Sequence, residues 1–98
     1  MIIVTATIVV KKEKKGSLVP LVLDLILNTR LEAGCISYEL LTSNENEYSQ
    51  TFVEKWESMD ALNLHMKSAH FVKFGEKTQY FFSEPMDIKL YEAKEIKN

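Results

Sequence analysis

The sequence is poor in the residues that most often build metal clusters, disulfides or nucleotide sites. It holds one cysteine, Cys35, so no intrachain disulfide can form and one chain cannot supply a thiolate metal cluster. Its three glycines are isolated, which excludes a glycine-rich phosphate loop and a dinucleotide fingerprint. A lone cysteine is also typical of a reducing compartment.

Charge of one sign and long apolar runs are scarce as well. The formal net charge is −2, and the lysine cluster at 11–15 is interrupted by Glu13. Nucleic acid is not expected as a partner, because phosphate binding needs a concentrated basic surface. No apolar run reaches the roughly 18 residues of a membrane helix, and the apolar start lacks a signal-peptide pattern. We therefore expect one cytoplasmic domain over residues 1–98, with no membrane partner.

The apolar pattern predicts elements in the order β-α-β-β-α-β. The expected strands are 2–10, 35–43, 48–56 and 86–96, and the expected helices begin at caps on Ser17 and Ser58, with more helical turns over 68–82. The first helix should end near Leu31, and Gly75 is a candidate break. This order fits a ferredoxin-like α+β fold with a four-stranded antiparallel sheet.

The first predicted strand is apolar on both of its faces. A strand with one buried face would alternate more cleanly between apolar and polar residues. We therefore expect helices on one side of the sheet and a second copy of the chain on the other, in a two-fold homodimer through the sheet face.

The two histidines, His65 and His70, are the candidates for proton transfer. On one regular helix a separation of five residues turns them about 140° apart, whereas helical zinc sites favour i and i+4. No metal site is therefore predicted. Each histidine can equally be a packing residue with a satisfied hydrogen bond.

The third predicted strand carries an acidic residue between two aromatic ones. Alternation places Phe52, Glu54 and Trp56 on one face. A carboxylate there must be paired or partly solvated, and a histidine of the next helix is its expected partner. Tyr38 of the second strand is placed to aim its hydroxyl into the same space. A core role suits Trp56 and Tyr38 equally well.

Two segments resemble the signatures of the antibiotic biosynthesis monooxygenase (ABM) family. In TRLEAGCISYEL the residues that match R-x-E-x-G-C-x-x-Y are Arg30, Glu32, Gly34, Cys35 and Tyr38. In FVEKWESMDALNLHMKSAHFVKF the matching residues are Phe52, Glu54, Trp56, Ala61, Leu62, His65, His70 and Phe71. The resemblance covers nearly the whole chain. It implies a dimeric ferredoxin-like α/β barrel with a pocket between sheet and helices.

The resemblance also implies a function: oxidation of a small phenolic or quinol-like molecule by O₂, without metal or flavin. A deprotonated phenol can donate an electron to O₂, and histidine suits the required proton transfer near neutral pH. The residues implied as catalytic are His65, Tyr38 and Glu54. Those implied to bind substrate are Trp56, His70, Phe71 and Arg30.

Two alternatives stay open. The first is an isomerase of a small phosphorylated carbonyl compound, with Arg30 and the lysines at 11–15 as its phosphate site. The second is a non-catalytic dimeric domain that binds a ligand or is associated with stress. The haem-degrading branch of the family is disfavoured, because Ala6 and Thr7 stand where that branch carries an asparagine.

Overall fold

A computed structural model describes residues 1–97 and has the predicted order of elements. The strands are β1 (Ile2–Val9), β2 (Cys35–Thr42), β3 (Ser49–Trp56) and β4 (Asp87–Glu92). The α-helices are α1 (Lys15–Arg30), α2 (Met59–Lys67) and α3 (Ala69–Thr78). The strands form one antiparallel sheet in the order β2-β3-β1-β4. This is the ferredoxin-like α+β arrangement, so the predicted fold class is confirmed.

One face of the sheet carries the core, and alternate strand positions supply its side chains. On β1 the buried positions are every second residue of 2–8, and on β3 they are Phe52, Glu54 and Trp56. The prediction that these three residues share one face is confirmed. The opposite face of β1, from 3 to 9, is half-buried within one chain. Its cover by a second copy stays a prediction.

The first helix begins earlier than predicted. It starts at Lys15, after a 3-10 turn over Lys12–Lys14, and no side chain caps its N-terminus. The predicted cap at Ser17 is wrong, because the 3-10 turn already orders the chain that enters the helix. Pro20 consequently lies beyond the first turn, where it removes the backbone hydrogen bond to the Gly16 carbonyl.

The second helical region is divided at Ser68. Ser58 caps α2 as predicted, since its side chain accepts a hydrogen bond of 3.2 Å from the backbone N–H of Ala61. Ser68 ends α2 in an extended conformation and caps α3 by accepting from the N–H of Phe71 at 3.3 Å. Gly75 lies inside α3, so the predicted break there is wrong.

The last strand is shorter than predicted and lies at the edge of the sheet. β4 pairs with β1, and the register ends at Ile2 opposite Glu92 because β1 begins there. All six residues of β4 are exposed. Over residues 1–97 no helix combines the length and the apolar character needed to cross a membrane.

Candidate active site

A cavity of about 250 Å³ lies between the sheet and the two short helices. Apolar side chains form most of its wall, and the polar residues in the wall are Tyr38, Glu54, His65, Thr78 and Gln79. Within the described part of the chain, no lysine or arginine lines it. The cavity therefore suits a largely apolar molecule with a few polar groups.

The strand register shows how polarity is distributed across the cavity floor. One cross-strand row holds Tyr38, Glu54, Val4 and Leu90, on β2, β3, β1 and β4 in that order. All four residues line the cavity. Neighbouring strands are about 4.8 Å apart, so the row spans about 14 Å. The floor is polar towards β2 and β3 and apolar towards β1 and β4.

One carboxylate joins the two histidines. Oε2 of Glu32, in the turn after α1, lies 2.6 Å from Nδ1 of His65 and 2.8 Å from Nε2 of His70. A carboxylate only accepts hydrogen bonds, so both ring N–H groups donate to it. In its neutral form His65 therefore carries its proton on Nδ1 and a lone pair on Nε2.

The predicted separation of the histidines on one regular helix is wrong. Ser68, between α2 and α3, is extended at φ −67° and ψ 150°. This break brings both imidazole rings to Glu32, with their centroids 6.0 Å apart. Helical spacing does not give the position of the two rings, because the helix does not continue through Ser68.

His65 is 1% exposed and is surrounded by aromatic rings. Its ring centroid lies 4.7 Å from that of Trp56, 4.9 Å from Phe71 and 5.4 Å from Tyr38. Burial lowers the pKa of His65, and the hydrogen bond and charge of Glu32 oppose this change. Nε2 is buried and has no hydrogen-bond partner among residues 1–97. An unpartnered buried nitrogen is costly, and here it belongs to a residue of the cavity wall.

Glu54 is held by Trp56 rather than by a histidine. The indole Nε1–H of Trp56 donates to Oε1 of Glu54 at 3.0 Å. Burial raises the pKa of Glu54 to about 7, although this hydrogen bond opposes the rise. The predicted histidine partner of Glu54 is wrong: Nδ1 of His65 binds Glu32, and Nε2 of His65 has no partner among residues 1–97. Near neutral pH both protonation states of Glu54 are populated.

Gly34 lets α2 approach the turn that carries Glu32. Its φ is +85°, and an added Cβ would lie 2.5 Å from the Cβ of Ala61 on α2. Its carbonyl also accepts a hydrogen bond of 2.8 Å from the N–H of Glu57. A side chain at position 34 would be strained and would push α2 outward, which would separate His65 from Glu32.

Comparison with known proteins identifies the family. Residues 1–77 match the sequence profile of the family described as antibiotic biosynthesis monooxygenase. The chain belongs to the ABM family. The family membership expected from the two signatures is thereby confirmed.

Three similar proteins match over nearly the whole chain. The Bacillus subtilis protein "Putative monooxygenase YcnE" is 32% identical over 95 residues, which is 97% of this chain and 100% of that protein. An uncharacterised protein of Synechocystis is 34% identical over 94 residues, 96% of this chain, but the chain spans only 64% of that protein's length. The crystal structure of a conserved Methanosarcina mazei protein matches at a TM-score of 0.91 and 31% identity, covering 95% of this chain and 92% of that one.

The predicted ABM site residues fall into two groups. Those in the cavity wall are Tyr38, Glu54, His65 and Phe71. Trp56 and His70 lie behind this wall: Trp56 is fully buried against the His65 ring, and His70 reaches the site through Glu32. Both lie outside the cavity wall and contact either a lining residue or Glu32.

Arg30 is not brought to the cavity. Its Nε donates to the backbone carbonyl of Tyr38 at 3.0 Å. Arg30 lines a separate surface opening together with residues 35–39. The structure therefore gives Arg30 a contact that fixes β2 to the end of α1, not a contact with the ABM cavity.

The three hydrogen-bonded side chains of Glu32, His65 and His70 are also potential metal ligands. In residues 1–97, donor atoms of Glu32, His65 and His70 all lie within 4.8 Å of one another. Two imidazoles and a carboxylate are a known donor set for zinc and non-haem iron. Tetrahedral ligands at ~2.1 Å from a zinc ion are roughly 3.4 Å apart. The cluster would have to open before it could hold such an ion.

Sequence reasoning missed several residues of the site. Glu32 was identified only as a residue that matches the first ABM signature, and no role was predicted for it. The α3 residues Phe74, Gly75 and Thr78 were also missed, although with Phe71 they follow the i, i+3, i+4, i+7 spacing of one helix face. Recognising α3 as a continuous helix would have revealed that face.

Proposed function

We propose that this protein is a monooxygenase that oxidises a small phenol or quinol with O₂, and that Nε2 of His65 is the base. The observation that carries the proposal is His65, a residue of the apolar cavity wall whose Nδ1 is held by Glu32 and whose buried Nε2 has no partner among residues 1–97. This arrangement leaves the lone pair of Nε2 free and supplies a carboxylate that stabilises the imidazolium formed when the base takes a proton.

The reaction begins with transfer of the phenolic proton to Nε2. A lowered His65 pKa keeps the imidazole neutral near pH 7, so the base is available. The resulting phenolate is electron-rich enough to donate one electron to O₂. An apolar cavity favours this step because it concentrates a nonpolar gas and an aromatic ring and excludes bulk water.

The electron balance needs no reductant besides the substrate. Superoxide and the phenoxyl radical combine at a ring carbon and form a C–O bond. Loss of the ring proton and cleavage of the O–O bond then leave a carbonyl on the ring. One oxygen atom stays in the product, and the other leaves as water with the proton returned from His65. The four electrons that reduce O₂ come from the C–H and O–H bonds of the substrate.

Two further groups are placed to stabilise the phenolate oxygen. Burial strongly raises the pKa of Tyr38, so its hydroxyl stays protonated and can donate a hydrogen bond. Glu54, with a pKa of about 7, can donate when it is neutral. Both lie in the same cross-strand row of the floor. Donors fixed in a dry site act on developing charge without reorganisation.

The test is O₂ uptake with a panel of hydroquinones and phenols. We expect uptake well above the uncatalysed rate for the wild type, and a loss of about 10²–10⁴-fold in kcat for His65→Ala. Leu64→Ala is the matched control, because Leu64 is 68% exposed on the same helix. Uptake no faster than the uncatalysed rate over the whole panel, or full activity in His65→Ala, would overturn the proposal.

The observed cavity argues against the two alternatives. An isomerase of a phosphorylated compound needs a cation for the phosphate, and no lysine or arginine of the described chain lines the cavity. A non-catalytic domain would have its cavity filled by side chains and its histidines outside. Instead about 250 Å³ is open, with His65 at its wall.

We also propose that two copies of the chain pair through the outer sheet face in a cytoplasmic homodimer. The side chains at 3–9 of β1 are half-buried in one chain, and Val53 of the neighbouring strand is too. Thr7 and Thr51, which face each other across these strands, satisfy each other through a hydrogen bond of 2.8 Å between their hydroxyls. The register also places charged residues of β2, β3 and β4 on this face, namely Glu39, Lys55, Asp87 and Lys89. The half-buried central strand is the part of the face suited to pack against its own copy.

A further inference from the structure

We infer that the cavity has a second, apolar subsite, between Gly75 of α3 and the edge strand β4, that accepts an alkyl or prenyl substituent on the substrate ring. The substrate class is then an amphipathic phenol or quinol, with its hydroxyl at the polar row and its substituent towards β4. The position of the hydroxyl rests on the proposed function, whereas the subsite itself rests on the geometry below.

Gly75 is the first observation. The residues of α3 that line the cavity are Phe71, Phe74, Gly75, Thr78 and Gln79, which form one helix face. Only Gly75 in this set lacks a side chain, and a Cβ added there meets nothing within 4 Å. Glycine inside a helix is less stable than alanine. The fold therefore does not need a glycine at this position for packing, and its effect is to keep the cavity open.

The edge strand is the second observation. Ile88 and Leu90 line the cavity, yet they are 54% and 47% exposed, and Met86 just before the strand is 37% exposed. The cavity therefore opens to solvent along β4, at the end away from Tyr38 and Glu54. An apolar substituent would cover these side chains while the ring hydroxyl stays at the polar end.

The volume supports a ring with a short chain. A cavity of ~150 Å³ is large enough to bind benzene. The cavity of about 250 Å³ leaves about 100 Å³ beyond that. A water molecule takes up ~30 Å³ of liquid, and a methylene group is of similar size, so the remainder holds about three carbon atoms. A longer chain would continue out of the mouth past Ile88.

The test measures binding of 4-alkylphenols, from methyl to butyl, by calorimetry without O₂. For the wild type we expect Kd to fall about threefold to fourfold per methylene. Gly75→Leu should bind 4-methylphenol within twofold of the wild type and 4-butylphenol at least tenfold more weakly. Gly75→Ala should raise Tm by about 2–8 °C, which verifies that the position tolerates a side chain.

Two more variants locate the subsite. Ile88→Ser should flatten the dependence of Kd on chain length. Leu27→Ser is the matched control, because Leu27 is 65% exposed on α1 and lies outside the cavity wall, and it should leave that dependence unchanged. If Ile88→Ser instead separates a dimer into monomers in sedimentation, the mouth is an interface between copies and the inference is wrong.

The outcomes separate this inference from the proposed function. A Kd that does not vary with chain length, or the same variation in Gly75→Leu, would overturn the subsite even if the enzyme consumes O₂. Binding that depends on chain length and on Gly75, without O₂ uptake on any quinol, would support the subsite and overturn the oxygenase.

Discussion

Glu32→Gln is the substitution that most sharply tests how the site prepares its base. Oε2 of Glu32 accepts two hydrogen bonds, of 2.6 Å from His65 and 2.8 Å from His70. A glutamine preserves the size of the side chain but removes the negative charge that stabilises an imidazolium at His65. Hydrogen bonds to charged groups contribute about 1.5–3 kcal/mol. The bond between Glu32 and His65 strengthens as His65 takes the proton, because the ring becomes positively charged. We therefore expect kcat to fall about 10- to 150-fold.

The pH profile gives this substitution a second result that a merely structural role would not produce. The acidic limb of kcat/KM follows protonation of His65, because only the neutral imidazole is a base. Burial places this pKa below its ordinary value of 6.5, and Glu32 opposes that shift. Removing the charge lowers the His65 pKa further, so the limb should move to lower pH.

Steady-state kinetics from pH 4.5 to 8 measure both effects, with circular dichroism to verify folding. Glu45→Gln, in the exposed turn between β2 and β3, is the matched control and should behave as the wild type. An unchanged kcat together with an unmoved acidic limb would refute the role of Glu32 as the residue that positions and polarises His65.

Two further predictions concern stability and assembly. Glu54 has a folded pKa of about 7 against an ordinary 4.5, so its contribution to stability is present below pH 4.5 and is lost as pH rises to 7. Glu54→Gln removes this dependence, and urea unfolding should show the variant gaining about 3 kcal/mol relative to the wild type between pH 4.5 and 7.5; equal slopes against pH would contradict the assignment. Val53→Lys places a charge on the outer sheet face and should turn a homodimer into a monomer in sedimentation velocity, whereas Glu45→Lys should not; an unchanged dimer would exclude this face as the interface.

The order of elements and the sheet were predictable because they depend on patterns repeated over many residues. The run of β-branched residues along 2–10 is strong enough to identify β1, and alternation along 48–56 puts Glu54 and Trp56 of β3 on one face. Ser58 was recognisable as a cap because a cap depends only on its own side chain and on the few residues that follow it in the sequence. Ser17 has the same local signature, but the 3-10 turn before α1 made a cap unnecessary.

The site was harder to predict because its geometry depends on one residue and on contacts far apart in sequence. The extended backbone at Ser68 separates α2 from α3 and so changes how the His65 and His70 rings are oriented to each other. Helical spacing alone contains no signal for that change. Glu32 lies 33 residues from His65, and only the packing of α2 on the turn after α1 joins them. Glu54 was given the wrong partner because its hydrogen bond goes to Trp56, two residues away on its own strand, while His65 binds Glu32.

Isotope labelling of the product tests the central claim most directly. The wild type is incubated with a hydroquinone under ¹⁸O₂, and the product is analysed by mass spectrometry beside the same reaction of His65→Gln. Monooxygenation predicts one ¹⁸O atom in each product molecule and one in water, with incorporation greatly reduced in the variant. A quinone without label, accompanied by hydrogen peroxide, or equal incorporation by His65→Gln, would contradict the account.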